Sequence, residues 1–328
     1  MNNISHPLQV GIIGTGFAAN CRAEALVKSN MASGVAVSGN TEARLQKFAS
    51  KYGLSVLNSW EKLVNLPNID LVIICTVNNL HGAIAKAALE AGKHVIIEYP
   101  LSLNLLEAEE LIHLAQEKNL LLHVEHIEII GGLHQAIKEN LPKIGKVFYA
   151  RYVTVKIDNP APKKWTYNHN LYGFPLIAAV SRIHRFTNLF GEVNSINCKS
   201  KFWNLPKSDY YSACLCQAQL KFNNGLIADI TYGKGDKFWQ TYRDFEINGE
   251  EGAIIFKRDK GTLITSAGSQ EITIPSRQGL FQQDTEMVLN HLLTNSDLYV
   301  SNQDSCYALK IAEAARKSSE TGLTIFIK

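Results

Sequence analysis

The chain has little that would tie it to a membrane, a nucleic acid or an oxidising compartment. None of its 328 residues falls in an apolar run of the ~18 residues that a bilayer-spanning helix requires. The formal net charge is only +3, with 19% charged residues. So small a basic excess argues against a nucleic-acid surface, although it permits a local basic site for an acidic ligand. Cysteine is sparse and scattered: Cys21, Cys75, Cys198, Cys214, Cys216 and Cys306 sit in apolar stretches. Cys214 and Cys216 share a strand face, but no second cluster and no neighbouring histidine completes a zinc set, so no metal site is expected. The six read as free thiols of a reducing compartment. Asn2 to Gln9 is polar and runs directly into a strand, unlike a secretory leader. The expectation is a cytoplasmic protein with no membrane and no nucleic-acid partner, and without repeats or low-complexity segments.

What is present is a regular alternation. Apolar runs at 8–13, 35–38, 69–77, 94–97 and 120–126 are separated by helical patterns such as "EARLQKFASKYG" and "LLEAEELIHLAQEKN". Strands apolar on both faces, each followed by a helix, predict a parallel sheet covered by helices. After about residue 128 the pattern changes. "GKVFYARYVTVKI" alternates, and strands follow at 193–202, 212–222, 226–233, 241–247, 252–257 and 262–266. Turn signals such as Asn223-Asn224-Gly225 separate them. One helix is expected over 175–191, and two more close the chain. The fold class is therefore an α/β Rossmann-type dinucleotide-binding domain over 1–127. A domain over 128–328 follows, with an open, largely antiparallel sheet and helices on one face.

The first strand–helix junction carries chemistry. Gly14-Thr15-Gly16-Phe17-Ala18-Ala19 fits G-x-G-x-x-G/A, and it lies between a strand and a helix inside a βαβ unit. Gly14 permits the tight turn, Gly16 lets a pyrophosphate approach the helix N-terminus, and Ala19 keeps helix and sheet close. The second strand ends Ser38-Gly39-Asn40-Thr41 with no carboxylate at its tip. A 2′-phosphate would meet no repulsion there. Ser38, Asn40 and Thr41 can donate to it, and Arg44 lies one helical turn from Asn40, so NADPH is favoured over NADH. Arg44 is otherwise a solvated helix residue. Thr76, Val77, Asn78 and Asn79 end a central strand, where a nicotinamide ribose would pass. His81 is either a helix-start residue or a cofactor contact.

At the exit of the 94–97 strand stands Glu98-Tyr99-Pro100, and a later stretch reads "GFPLIAAVSRIHRFTNLFGE". "VGIIGTG", "ALEAGKHVIIEYPLS" and "AEAARKSSETGL" resemble the Gfo/Idh/MocA oxidoreductases along essentially the whole chain. That family usually has Glu-Lys-Pro in the loop, with the lysine by the substrate, and Asp-x-x-x-His on a later helix. Here Tyr99 replaces the lysine, and the Asp and His positions fall on Ile177 and Ser181. These departures, with "HVEHIEII" and the 173–192 stretch, resemble a branch of the family that reduces linear tetrapyrroles.

The resemblance implies NADPH-dependent reduction of biliverdin IXα at its central C10 methine, with the small-molecule tetrapyrrole as partner. Such a reaction deprotonates no hydroxyl, but it needs an apolar slot, cations for two propionates and a proton source. Arg185 and Arg182, three apart on one helix face, are the candidate catalytic and propionate-binding cations. Arginine is a poor acid at neutral pH, so it would bind a propionate or polarise the donor. Tyr99 reads as a flat substrate wall first and a proton donor second. Glu98, Glu125, His126 and Glu128 stand at strand ends or where the next helix begins; a carboxyl with a raised pKa such as Glu98, or His126, could relay a proton, the alternative for each being a structural hydrogen bond. Glu98 and Tyr99 would also touch the cofactor. Lys163, Lys164, Trp165 and Tyr167 form either a pigment-covering loop, with Trp165 stacking and Lys163 pairing, or a plain solvated one. Two other readings stand beside this one: a dehydrogenase of the same family acting on another ligand, and a non-catalytic regulator sensing NADP.

Overall fold

The apolar runs of the first half become strands with both faces covered. In the computed structural model, which describes residues 7–328, β1 (Leu8–Ile13), β2 (Ala32–Ser38), β3 (Ser55–Leu57), β4 (Leu71–Ile74), β5 (His94–Ile97) and β6 (Leu122–Val124) form one sheet. Its order is β3-β2-β1-β4-β5-β6, and every pairing is parallel. All four residues of β4 are fully buried, as strands between two helical layers must be. The crossovers are α1 (Phe17–Lys28), α2 (Glu42–Tyr52), α3 (Trp60–Val64), α4 (His81–Glu90) and α5 (Leu105–Glu117). Gly53, left-handed at φ 68°, ends α2, and the Asn104 side chain caps α5 by accepting from the Glu107 amide.

A second sheet follows α6 (Ile127–Ile130) and α7 (Gly132–Asn140). It contains β7 (Val147–Ile157), then, after α8 (His169–Tyr172), α9 (Pro175–Ala178) and α10 (Ser181–Phe190), the strands β8 (Val193–Asn204), β9 (Tyr211–Phe222), β10 (Ile227–Gly235), β11 (Tyr242–Gly249), β12 (Gly252–Lys257), β13 (Lys260–Thr265) and β14 (Gly268–Ile272). Helices α11 (Leu280–Thr294) and α12 (Asn302–Thr321) and the short β15 (Ile325–Phe326) complete the chain. The order is β14-β13-β12-β11-β7-β10-β9-β8-β15. Only β7 and β10 pair in parallel; the other neighbours are antiparallel. Among the described residues no helix is long and apolar enough to cross a membrane.

The structure departs from the sequence expectation in several details. The helix expected over 175–191 is broken: Ala179 leaves helical geometry at φ −110°, ψ 34°, and α10 starts afresh at Ser181. Strand β14 carries no apolar alternation, since four of its five residues are exposed, and so it gave no signal.

The chain forms two compact units, Met1–Ile127 with Gln278–Cys306, and Glu128–Arg277 with Tyr307–Lys328. A single span over 128–328 therefore differs from the contact pattern at 278–306. The cause is the apolar face of α11, whose Val288, Leu289 and Leu292 join the core of β1, β4 and α1.

Candidate active site

In the first unit the turn Gly14–Gly16 joins β1 to α1. Gly14 has φ +119°, and a Cβ there would lie 2.2 Å from the Cys75 carbonyl oxygen, so the fold itself demands glycine. Gly16 is different. A Cβ there would meet no atom within 4 Å, and its φ is −82°, so neither packing nor backbone requires glycine. No side chain caps α1, no acid sits in its first turn, and Phe17 is 79% exposed. This combination fits a phosphate group lying against the helix N-terminus. Ser38 is buried and its carbonyl accepts from the Gly14 amide at 2.8 Å, while Asn40, Thr41 and Arg44 are exposed just beyond β2.

Beyond β4, Thr76 and Val77 lead into a 3-10 turn at Asn78–Leu80. His81 is buried; Nδ1 lies 2.7 Å from the Pro100 carbonyl and Nε2 3.4 Å from that of Thr76. Burial pushes its pKa down, so the ring is neutral, and its one N–H goes to Pro100. His81 thus ties two strand-exit loops together. The Tyr99–Pro100 peptide is cis. The Tyr99 ring stacks on His126 at 5.8 Å and 7°. His126 is fully buried, with Nε2 2.9 Å from the Ser305 hydroxyl.

Below this wall lies a buried charge cluster that sequence reasoning missed. Arg22 on α1 donates to Glu98 at 3.0 Å, to Thr285 at 2.9 Å and to Asp284 on α11. Asp284 also accepts from Tyr299 at 2.6 Å, and His123 Nε2 lies 2.8 Å from it. Burial raises the pKa of Glu98, and it raises Glu125 well above the carboxylate range with Glu98 and Asp284 adding to the effect. Arg22 and Asp284 fall outside every motif, and nothing local marks them.

The second unit holds a cavity of about 460 Å³. Its floor is one face of the sheet. Register pairs Thr154 with Tyr232 and with Arg243, and Lys156 with Lys234, and paired residues point to the same side. Helix α10 adds Arg182 and Arg185, and Arg277 and Glu128 complete the charged wall. The cavity therefore has six cationic residues, Lys156, Arg182, Arg185, Lys234, Arg243 and Arg277, against one carboxylate, Glu128. Arg185 is 1% exposed. Its Nη2 donates to Glu128 at 2.7 Å, and its guanidinium lies 5.8 Å from the Tyr152 ring centroid. Arg277 grips the same carboxylate at 2.8 and 2.5 Å. Burial disfavours a charged Glu128, but Arg277, Arg185 and Arg182 outweigh it and hold its pKa at about 2. Arg182 donates to the Ser181 hydroxyl at 3.0 Å and lies 5.5 Å from the Tyr232 ring centroid.

Three buried donors on this wall, Arg185 Nε and Nη1 and Thr154 Oγ1, have no partner among the described residues. Buried donors in native proteins are almost always satisfied, so these mark where a ligand's acceptors would fit. Of the expected site residues, Arg182 and Arg185 line the cavity. Lys163 and Trp165 do not: Lys163 lies over the Tyr210 ring at 5.6 Å and Trp165 packs on Tyr172 at 5.8 Å. Lys234, Arg243, Arg277, Tyr152 and Tyr232 were not foreseen. Period-two spacing in "YVTVK" and "YGK" could have flagged Tyr152, Lys156, Tyr232 and Lys234 as strand neighbours on one face, had the two strands been recognised as paired.

Comparison with known proteins agrees with this architecture. Residues 8–126 match the oxidoreductase family with NAD-binding Rossmann fold, and residues 135–326 match the C-terminal alpha/beta domain of that family. A crystal structure of biliverdin reductase from Synechocystis sp. PCC 6803, in complex with biliverdin and NADP+, superposes with a TM-score of 0.94 at 51% identity, covering 96% of this chain and 99% of that one. Biliverdin reductase A of Mus musculus is 31% identical over 139 residues, a match that spans 42% of this chain and 44% of that protein. Myo-inositol 2-dehydrogenase of Thermotoga maritima is 27% identical over 95% of this chain and 96% of its own length. The chain spans less than half the length of the first curated relatives it matches. Rossmann motif, two-unit architecture and family match together establish that the chain belongs to the Gfo/Idh/MocA oxidoreductase family.

Proposed function

We propose that this chain is an NADPH-dependent reductase of biliverdin IXα, forming bilirubin IXα by reduction at the central C10 methine. The observation that carries this reading is the second-unit cavity: six cations, one carboxylate already claimed by two arginines, and unpartnered donors on Arg185 and Thr154. Such a wall selects an anionic ligand, and tyrosines 152, 232 and 242 offer it flat amphipathic surface. Biliverdin is planar and carries two propionates. The 51% identity to a reductase that binds biliverdin and NADP+ supports the same substrate and cofactor here.

Bound NADPH supplies the hydride. The turn Gly14-Thr15-Gly16-Phe17-Ala18 would hold its pyrophosphate; Asn40, Thr41 and Arg44, next to Ser38, would take the 2′-phosphate. Thr76, Val77, Asn78, Asn79 and His81 build the strand-exit loops on the nicotinamide side, with Glu98 and Tyr99. Arg185 binds and polarises the tetrapyrrole, Arg182 pairs a propionate, and the Tyr99–His126 stack is a flat wall. A cytoplasmic setting accords with six cysteines that form no disulfide among the described residues. The test is direct: purified protein, NADPH and biliverdin are mixed and the spectrum followed. Conversion of the green pigment to the yellow one, with matching NADPH consumption, is expected. NADPH binding without conversion would refute the reading and favour a redox-sensing regulator.

A further inference from the structure

We propose that Lys234 is the proton donor of the second-unit cavity, a catalytic residue that delivers a proton from Nζ to a ring nitrogen of the bound tetrapyrrole. This rests on the reductase reading and supplies what that reading lacks, since arginine is too weak an acid for the task at neutral pH.

The geometry of this lysine is unusual. Lys234, on β10, is a wall residue of the cavity and only 6% exposed. Its Nζ sits inside a box of four tyrosine rings, 3.6 Å from the centroid of Tyr172, 4.8 Å from Tyr167, 5.6 Å from Tyr211 and 5.9 Å from Tyr232. It donates one hydrogen bond, to the Thr166 carbonyl. Among the described residues no carboxylate lies within ion-pair distance of it. An ammonium has three N–H bonds, so two have no acceptor among the described residues. Aromatic faces stabilise the charge but take no proton.

The groups around it set its acidity. Burial is the largest influence and favours the neutral amine; Cys214 on β9 and Asp158 beyond β7 oppose it, while Lys156 on β7 and Arg182 on α10 assist, leaving a pKa of about 8. The remaining neighbours are the phenols of Tyr167, Tyr172, Tyr211 and Tyr232. Burial pushes Tyr167, Tyr172 and Tyr211 upward, so they keep their protons. Elsewhere on the wall, Glu128 has no proton to give near neutrality. Lys234 thus carries a proton at pH 7 and holds it loosely, which suits a general acid. In the step, one Nζ–H bond breaks and its electron pair stays on the amine, while an N–H bond forms on the ligand. The hydride comes from NADPH, and the neutral amine regains a proton from water.

The test is kcat against pH at saturating NADPH and biliverdin for wild type, Lys234→Met and Lys234→Arg, with thermal melts to confirm folding. Wild-type kcat should fall with rising pH along a limb at or above about 8, because a bound dianion favours the ammonium. Lys234→Met should lower kcat about 100-fold or more and abolish the limb. Biliverdin affinity, measured with NADP+ present so that no turnover occurs, should change far less. Lys234→Arg should recover ligand affinity but not rate. Recovery of kcat in Lys234→Arg would show that charge alone matters and overturn the donor role. So would full kcat in Lys234→Met with wild-type turnover intact, leaving the reductase reading standing. No turnover in wild type would overturn both.

Discussion

Two buried charge clusters, one in each unit, are built on opposite plans. In the first unit a single arginine, Arg22, is surrounded by Asp284, Glu98 and Glu125, and its charge is spent on ion pairs at 3.0 Å or less. In the second unit six cations surround one carboxylate, and donors of Arg185 and Thr154 have no acceptor among the described residues. The first arrangement surrounds its one cation with acids; Arg22 Nη2 also has no hydrogen-bond partner among the described residues, but the charge itself is matched by Asp284 and Glu98. The second carries net positive charge against a cavity, and that imbalance is what a dianionic substrate would correct. Arginine alone therefore says little about function; the ratio of acids around it says more.

Breaking the comparison should cost stability on one side and activity on the other. The largest effect is expected from Arg22→Met, which leaves Glu98 and Asp284 without their arginine in a buried site. A loss of about 3–5 kcal/mol is expected, read by denaturant unfolding. A loss below about 1 kcal/mol would mean the cluster is not structural. Arg185→Ala should instead fold normally, because Glu128 keeps Arg277 at 2.8 and 2.5 Å. Its kcat/KM should fall about 100-fold, some 2.7 kcal/mol, with NADPH affinity unchanged. An unchanged rate would remove Arg185 from the site.

Glu128→Gln sharpens the contrast through pH. The folded-state pKa of Glu128 is lowered, to about 2, so its contribution to stability is present above the unfolded value of about 4.5 and is lost as pH falls through about 2. The stability gap between wild type and Glu128→Gln should therefore be widest above pH 4.5 and narrow on acidification. A gap that stays constant with pH would contradict the assigned clamp. The smallest effect is expected from Arg44→Ala at the exposed end of β2. It should raise the KM for NADPH about 10-fold and leave that for NADH unchanged, since only the 2′-phosphate contact is lost. Equal shifts for both would place Arg44 outside the phosphate site.

The same contrast explains what could be read from the sequence. The dinucleotide turn is local: Gly14 to Ala18 lie in one strand–turn–helix, and alternation marks five of the six strands of the first sheet, missing only β3, which is three residues long and has no buried residue. Arg182 and Arg185 were accessible because both sit on one helix. Lys234 and Arg243 were not, because they meet only when β7 lies between β10 and β11, a pairing that no single segment encodes; Arg277 arrives from the loop after β14. Arg22 and Asp284 are 262 positions apart and meet because α11 returns to the first unit, against the expectation of one uninterrupted second domain. The break at Ala179 had no composition signal, as Ala, Val and Leu continue through it.

On the proposed function, the cationic cavity of the second unit recognises the two propionates of a tetrapyrrole. The most direct measurement compares the binding of biliverdin and of its dimethyl ester to the NADP+-loaded protein, where no turnover occurs. Loss of both charges should weaken binding at least about 10-fold per propionate at low salt, and the difference should shrink as salt rises. Equal affinity for acid and diester at low salt would rule out recognition of the propionates by this cavity.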